Sequence, residues 1–137
     1  FSAGTLTEPS RADLRYVEEA LALIEANGIA APSPIEQRWT ATSSAPMSPA
    51  SAADPAAVHS WVGIIMYLPS DDPGTRVAIT EAFFRYRDLC RDRLWDKYDC
   101  AEHWAKIEKP RTDGERETVR RRLRRRYKID EFNSARR

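Results

Sequence analysis

Apolar positions along the chain recur with two different periods, and the switches between them mark the elements. In PSRADLRYVEEALALIEANGI (9–29), Leu14, Val17, Leu21 and Ile24 return at helical spacing, which predicts an amphipathic helix with that stripe turned inward. Ser10 stands as its N-cap, Asp13 follows three positions on as in a capping box, and Gly28 fits the left-handed residue that ends a helix. After Pro34 the period becomes two: Ile35, Gln37 and Trp39 alternate with Glu36, Arg38 and Thr40, which predicts a strand. The Ser-, Pro- and Ala-rich segment 43–57 predicts a long loop. HSWVGIIMYLP (59–69) has the β-branched and aromatic content of a buried strand and ends at Pro69. A long helix follows through residue 98, capped by Asp72 with Pro73 at its first position, and Ile79, Phe83, Tyr86, Cys90 and Leu94 make its inward stripe. AEHWAKIE (101–108) reads as a third short strand closed by Pro110. TDGERETVRRRLRRRY predicts a helix with a Thr112–Glu115 capping box and Val119, Leu123 and Tyr127 as its apolar line, and IDEFNSARR a last short helical turn. The expected fold class is α+β, with helices packed on a small antiparallel sheet.

Length and charge narrow the picture. The 137 residues suit one domain, and a net charge of +1 argues against a polyanion binder by bulk charge. The charge is uneven: RRRLRRR (120–126) is a basic block, whereas only Arg11, Arg15 and Arg38 are basic before residue 70. That block reads first as a solvated helix face, then as a dock for acidic protein or anionic lipid. Nucleic acid comes last and is not expected as a partner, because no stacking platform or reader motif accompanies the arginines. Cys90 and Cys100 have no metal-ligand spacing with His59 or His103, so no metal is expected. No apolar run approaches the ~20 residues of a membrane span. Phe1 is not a start methionine, so the sequence is expected to begin inside something longer or after processing. The five glycines are scattered, without a phosphate loop.

Two short constellations carry candidate chemistry. Glu36 and Arg38, two apart in a strand, leave the same face, where a carboxylate and a guanidinium can hold a polyhydroxylated ligand. The plainer reading is an exposed ion pair contributing ~0–1 kcal/mol. His103 and Lys106 flank Trp104 within AEHWAKIE. Three positions apart, they fall on opposite faces of a regular strand, so a shared pocket requires the backbone to leave strand geometry between them, with Trp104 as a buried anchor whose indole N–H is bonded. The plainer reading is a packed histidine and a solvated lysine.

SPIEQRW, SWVGIIMYLP, LWDKYDCAEHWAKIEKP and YKIDEFNSARR, in this order, resemble the C-terminal part of the aldonolactone oxidoreductases, a family of vanillyl-alcohol-oxidase-type flavoproteins. The resemblance covers about residues 10–137. It implies that residues 1–137 are a cap or substrate-domain portion, and that the family's FAD-binding domain, which precedes this region, is absent from the chain. Relatives also continue past ARR into a short tail. The resemblance further implies FAD as cofactor, an aldonolactone as substrate, oxidation toward L-ascorbate and cytochrome c as electron acceptor. Glu36, Arg38, His103 and Lys106 are then catalytic, with Arg38 and Lys106 also meeting the cofactor. Residence at the mitochondrial inner membrane or intermembrane space follows, as does association with an assembling respiratory complex I. The alternative within the same resemblance is a non-catalytic interaction or assembly subunit of a complex I intermediate.

Overall fold

The computed structural model describes residues 1–137 as an α+β fold: a three-stranded antiparallel sheet with four helices. The strands are β1 (Ser2–Thr5), β2 (Glu36–Ala41) and β3 (Ala57–Gly63), in the order β1-β3-β2. The helices are α1 (Ala12–Ala26), α2 (Pro73–Cys90), α3 (Asp113–Arg126) and α4 (Ile129–Ala135).

The helix ends follow the local chemistry read from the sequence. Asp72 accepts the Thr75 N–H at 2.7 Å, with Pro73 opening α2. Thr112 accepts the Glu115 N–H at 3.1 Å, while the Glu115 carboxylate reaches one residue further back, to the Arg111 N–H at 2.6 Å. Helix α1 closes in a Schellman motif: Gly28, at φ 56°, donates to Glu25 and Ile29 donates to Ile24. Its start differs from expectation. Arg11 occupies the N-cap position in the left-handed region with no side-chain cap, Ser10 only accepts the Ala12 N–H, and Asp13 accepts the Trp39 indole N–H at 3.0 Å instead of closing a capping box.

The inward face of α1 is also not the expected one. Tyr16 and Ala20 are buried, whereas Leu14 and Leu21 are 54% and 52% exposed. The leucine stripe is apolar, but Tyr16 has the better partners: it stacks on Phe1 at 5.1 Å and meets Tyr98 edge-on at 5.2 Å. Phe1, Tyr16, Ala20 and Leu94 form one core cluster; Ile29, Tyr86 and Cys90 form a second, and Trp95 packs against both. The α2 stripe is as read at its C-terminal end, where Tyr86, Cys90 and Leu94 are buried. Leu94 lies in a π-helical turn, Arg91–Trp95, that continues α2.

Two strand expectations are corrected. The strand expected over 59–69 starts at Ala57 and stops at Gly63, opposite Glu36; beyond that pair β2 runs back to Pro34, so residues 64–68 find no partner. The segment 101–108 is not a strand. It folds as a 3₁₀ turn, Trp104–Lys106, closed by a 2.7 Å bond from the Lys106 N–H to the His103 carbonyl. The third strand is instead β1, which pairs Ser2 with His59 and Thr5 with Ala57 around an irregularity. Gly4 sits there at φ 87°, and a Cβ would stand 2.4 Å from the Glu8 carbonyl, so only glycine fits.

Candidate active site

The register of β2 on β3 organises the candidate residues. Glu36 faces Gly63, Arg38 faces Trp61 and Thr40 faces His59, so these side chains share one side of the sheet. The other side carries Trp39, tied to Asp13 of α1, and Gln37, which donates to Ser60 at 3.2 Å. Helix α1 therefore closes one side, and the Glu36–Arg38 side faces the turn at 103–106.

Glu36 and Arg38 leave the same face as the period of two requires, and they pair with each other: the Arg38 guanidinium donates twice to Glu36 Oε1, from Nε at 3.0 Å and from Nη2. Both are exposed, so the pair contributes little to stability and exchanges readily for a ligand's hydroxyls. Between them and the turn stands Trp61, whose indole donates to Thr40 Oγ1 at 2.7 Å. The His103 ring lies 5.8 Å from the Trp61 ring, and Trp104 follows at 5.9 Å from His103. The structure thus brings His103 to the side of the sheet that carries Glu36 and Arg38. Lys106 ends the turn exposed, with its ammonium in no ion pair.

The backbone between His103 and Lys106 does leave strand geometry. Trp104 anchors the turn through its indole N–H, bonded to the Met47 carbonyl at 3.0 Å, but its ring is 51% exposed and not buried. His103 caps the turn through Nδ1, which accepts the Ala105 N–H at 3.2 Å. With Nδ1 an acceptor, the neutral ring carries its proton on Nε2 and offers a donor to the open side. The turn is held from beneath as well: the Tyr127 hydroxyl donates to the Glu102 carbonyl. Burial pushes the Glu102 carboxyl above its ordinary value against the opposing pull of Arg122, Arg87 and Arg91, and it pushes Tyr127 up to about 12.

Sequence reasoning gave no site role to Trp61 or His59. Both lie on the candidate side of the central strand, and their period-two spacing from Gly63 was the available signal. His59 is 1% exposed with both ring nitrogens unpartnered; burial, with Arg126 nearby, holds it below its ordinary value. A flavin ring fits this side in its polar edge only: the exposed Arg38 guanidinium is a donor suited to its carbonyl and nitrogen atoms, while no loop of backbone N–H groups for a pyrophosphate is present.

No family model matches the chain. Over its whole length, however, it is similar to the C-terminal portion of sugar-lactone dehydrogenases. It is 53% identical over 137 residues, all of the chain, to the mitochondrial L-galactono-1,4-lactone dehydrogenase of Brassica oleracea, and covers 23% of that protein. It is 54% identical over 136 residues to mitochondrial L-galactono-1,4-lactone dehydrogenase 1 of Oryza sativa subsp. japonica, again covering 23% of it. The chain thus spans less than a quarter of the length of the curated relatives it matches.

Proposed function

We propose that this chain is the cap or substrate-domain portion of an enzyme that oxidises L-galactono-1,4-lactone to L-ascorbate. The observation that carries the reading is the convergence of Glu36, Arg38 and His103 on one side of the sheet, in a chain 53–54% identical throughout to proteins of that name. FAD, when bound, supplies the acceptor for the substrate hydride. Glu36 releases Arg38 and takes up the lactone's hydroxyl protons as hydrogen bonds, which orients the ring. Arg38 and Lys106 stabilise the negative charge that grows on the substrate oxygen as its proton passes to water, which reaches this exposed edge. His103 contributes a donor from Nε2; it does not act as the proton acceptor while Nδ1 holds the Ala105 N–H. Trp61 forms the wall between these groups.

The apolar residues left open on the chain, Leu14, Leu21 and Trp39 among them, support placement against further polypeptide, which on this reading is the FAD-binding domain. Cytochrome c as acceptor, residence at the inner mitochondrial membrane or intermembrane space and association with assembling complex I come with the same reading. They rest on the resemblance and on the relatives' mitochondrial names.

The test is kinetic, in the full-length protein. Glu36→Ala should raise KM for the lactone with a smaller change in kcat, because a carboxylate holding hydroxyls acts already in the ground state. Arg38→Ala should slow flavin reduction by ~10²–10³. Near-normal turnover of the Arg38 variant removes it from the site. A full-length protein without flavin absorbance, or with flavin that the lactone does not bleach, overturns the enzymatic reading.

A further inference from the structure

The block 120–126 holds six arginines, and the fold pairs only three of them. Arg122 and Arg125 reach Asp96 at 3.8 and 3.7 Å, and Arg125 and Arg126 reach Asp99 at 3.3 and 2.8 Å. Arg122 also lies 5.2 Å over the Trp95 ring. Arg120, Arg121 and Arg124 are exposed and enter no ion pair or hydrogen bond. Arg124, four and three positions on from Arg120 and Arg121, neighbours both on the helix surface. Glu117, one turn earlier, is exposed and likewise unpaired. Arg124 leads into a groove of about 420 Å³ lined also by Tyr127, Lys128, Ile129, Asp130 and Glu131.

We infer that Arg120, Arg121 and Arg124 dock an acidic surface of a second protein, separate from the polypeptide that carries this chain. The neighbouring side of the same helix shows the chemistry: two aspartates there gather three guanidinium groups. A lipid surface fits less well. Val119, Leu123 and Tyr127 are turned inward, no exposed residue of α3 is a large apolar one, and three free cations fall short of the roughly four to eight that hold a basic segment on anionic lipid. Nucleic acid lacks an exposed aromatic on α3 for bases to stack on. The choice of a separate partner follows from the contrast between faces. Permanent interfaces are apolar, and the open large apolar residues of this chain lie on α1, α2, α4, β2 and the segments between elements, none of them on α3; a face of charge alone suits a contact that forms and dissolves. This inference does not depend on lactone oxidation.

The experiment uses the full-length protein and immobilised poly-L-glutamate as the probe. Arg120→Glu/Arg124→Glu should weaken binding by about tenfold and flatten its salt dependence, the scale of two lost exposed contacts. Arg15→Glu/Arg93→Glu, an equal change in charge at two unpaired arginines elsewhere, should change it by less than about twofold. Equal weakening by the two pairs makes the effect one of bulk charge and overturns the assignment. Tighter capture by phosphatidylcholine vesicles containing cardiolipin than by polyglutamate overturns it in favour of lipid. Phenylglyoxal labelling read by mass spectrometry should modify Arg120, Arg121 and Arg124 in the free full-length protein. Their protection there would show the stripe already covered within its own polypeptide, and would overturn the inference.

Discussion

Helices α1 and α3 lie on the same small scaffold and are held in opposite ways. Helix α1 buries Tyr16 and Ala20 and joins an aromatic cluster with Phe1 and Tyr98. Helix α3 buries none of its own residues. It is fixed by charge at its start, where Arg111 meets Asp88 at 2.9 Å and Arg87 approaches Glu115 at 3.8 Å. Along its length Asp96 and Asp99 hold it, and just past its end the buried Tyr127 bonds the Glu102 carbonyl. The first attachment is non-directional and little affected by salt. The second depends on geometry and ionisation. It is also the one that reaches the candidate site, because Glu102 immediately precedes His103.

The largest effect should come from the apolar side. Leu94 is 1% exposed within the cluster under α1, and Leu94→Ala should cost about 2–5 kcal/mol. Hydrogen exchange in the full-length protein should show α1 and the π-helical turn opening together. Loss confined to α3 would break the contrast.

Acid should separate the two regions next. A buried carboxyl held above its ordinary value costs the fold nothing below about pH 4.5, where folded and unfolded states both carry the proton, and costs more as pH rises from there toward the raised value. Glu102→Gln should therefore slow opening of the 101–106 turn and of α3 at pH 7, with the gain fading as pH falls toward about 4.5 and gone below it. Faster opening of the variant at pH 7 would mean that the carboxylate is a true ion-pair partner of Arg122. Glu115 runs the other way. The Arg111 N–H holds it below its ordinary value, so its contribution is present above pH 4.5 and lost as pH falls through the lowered value.

Salt should give the smallest difference. In 1 M NaCl, where the Debye length is about 3 Å, amides of α3 should exchange a few-fold faster and those of α1, tied by the single Glu19–Lys97 pair, should change less, since each exposed pair contributes only ~0–1 kcal/mol. Equal acceleration of both helices would assign α3 to the apolar core.

Parts of this molecule are decided within a few residues, and those are legible in the chain. The caps at Asp72 and Thr112, the glycine stop at Gly28 and the common face of Glu36 and Arg38 follow from local hydrogen bonding and the period of a strand. What needs a distant partner is not legible there. Either apolar stripe of α1 satisfies the helical period, and only the positions of Phe1, Tyr98 and Leu94 select Tyr16 and Ala20 over Leu14 and Leu21. Residues 59–69 and 101–108 both have strand composition, yet a ladder forms only where another strand supplies its N–H and C=O groups; β2 supplies them as far as Gly63, and nothing supplies them to 101–108. The meeting of His103 with Trp61, opposite Arg38, joins segments more than forty residues apart, so no periodicity encodes it. Tertiary packing decides it, through the indole of Trp104 on Met47 and the hydroxyl of Tyr127 on Glu102.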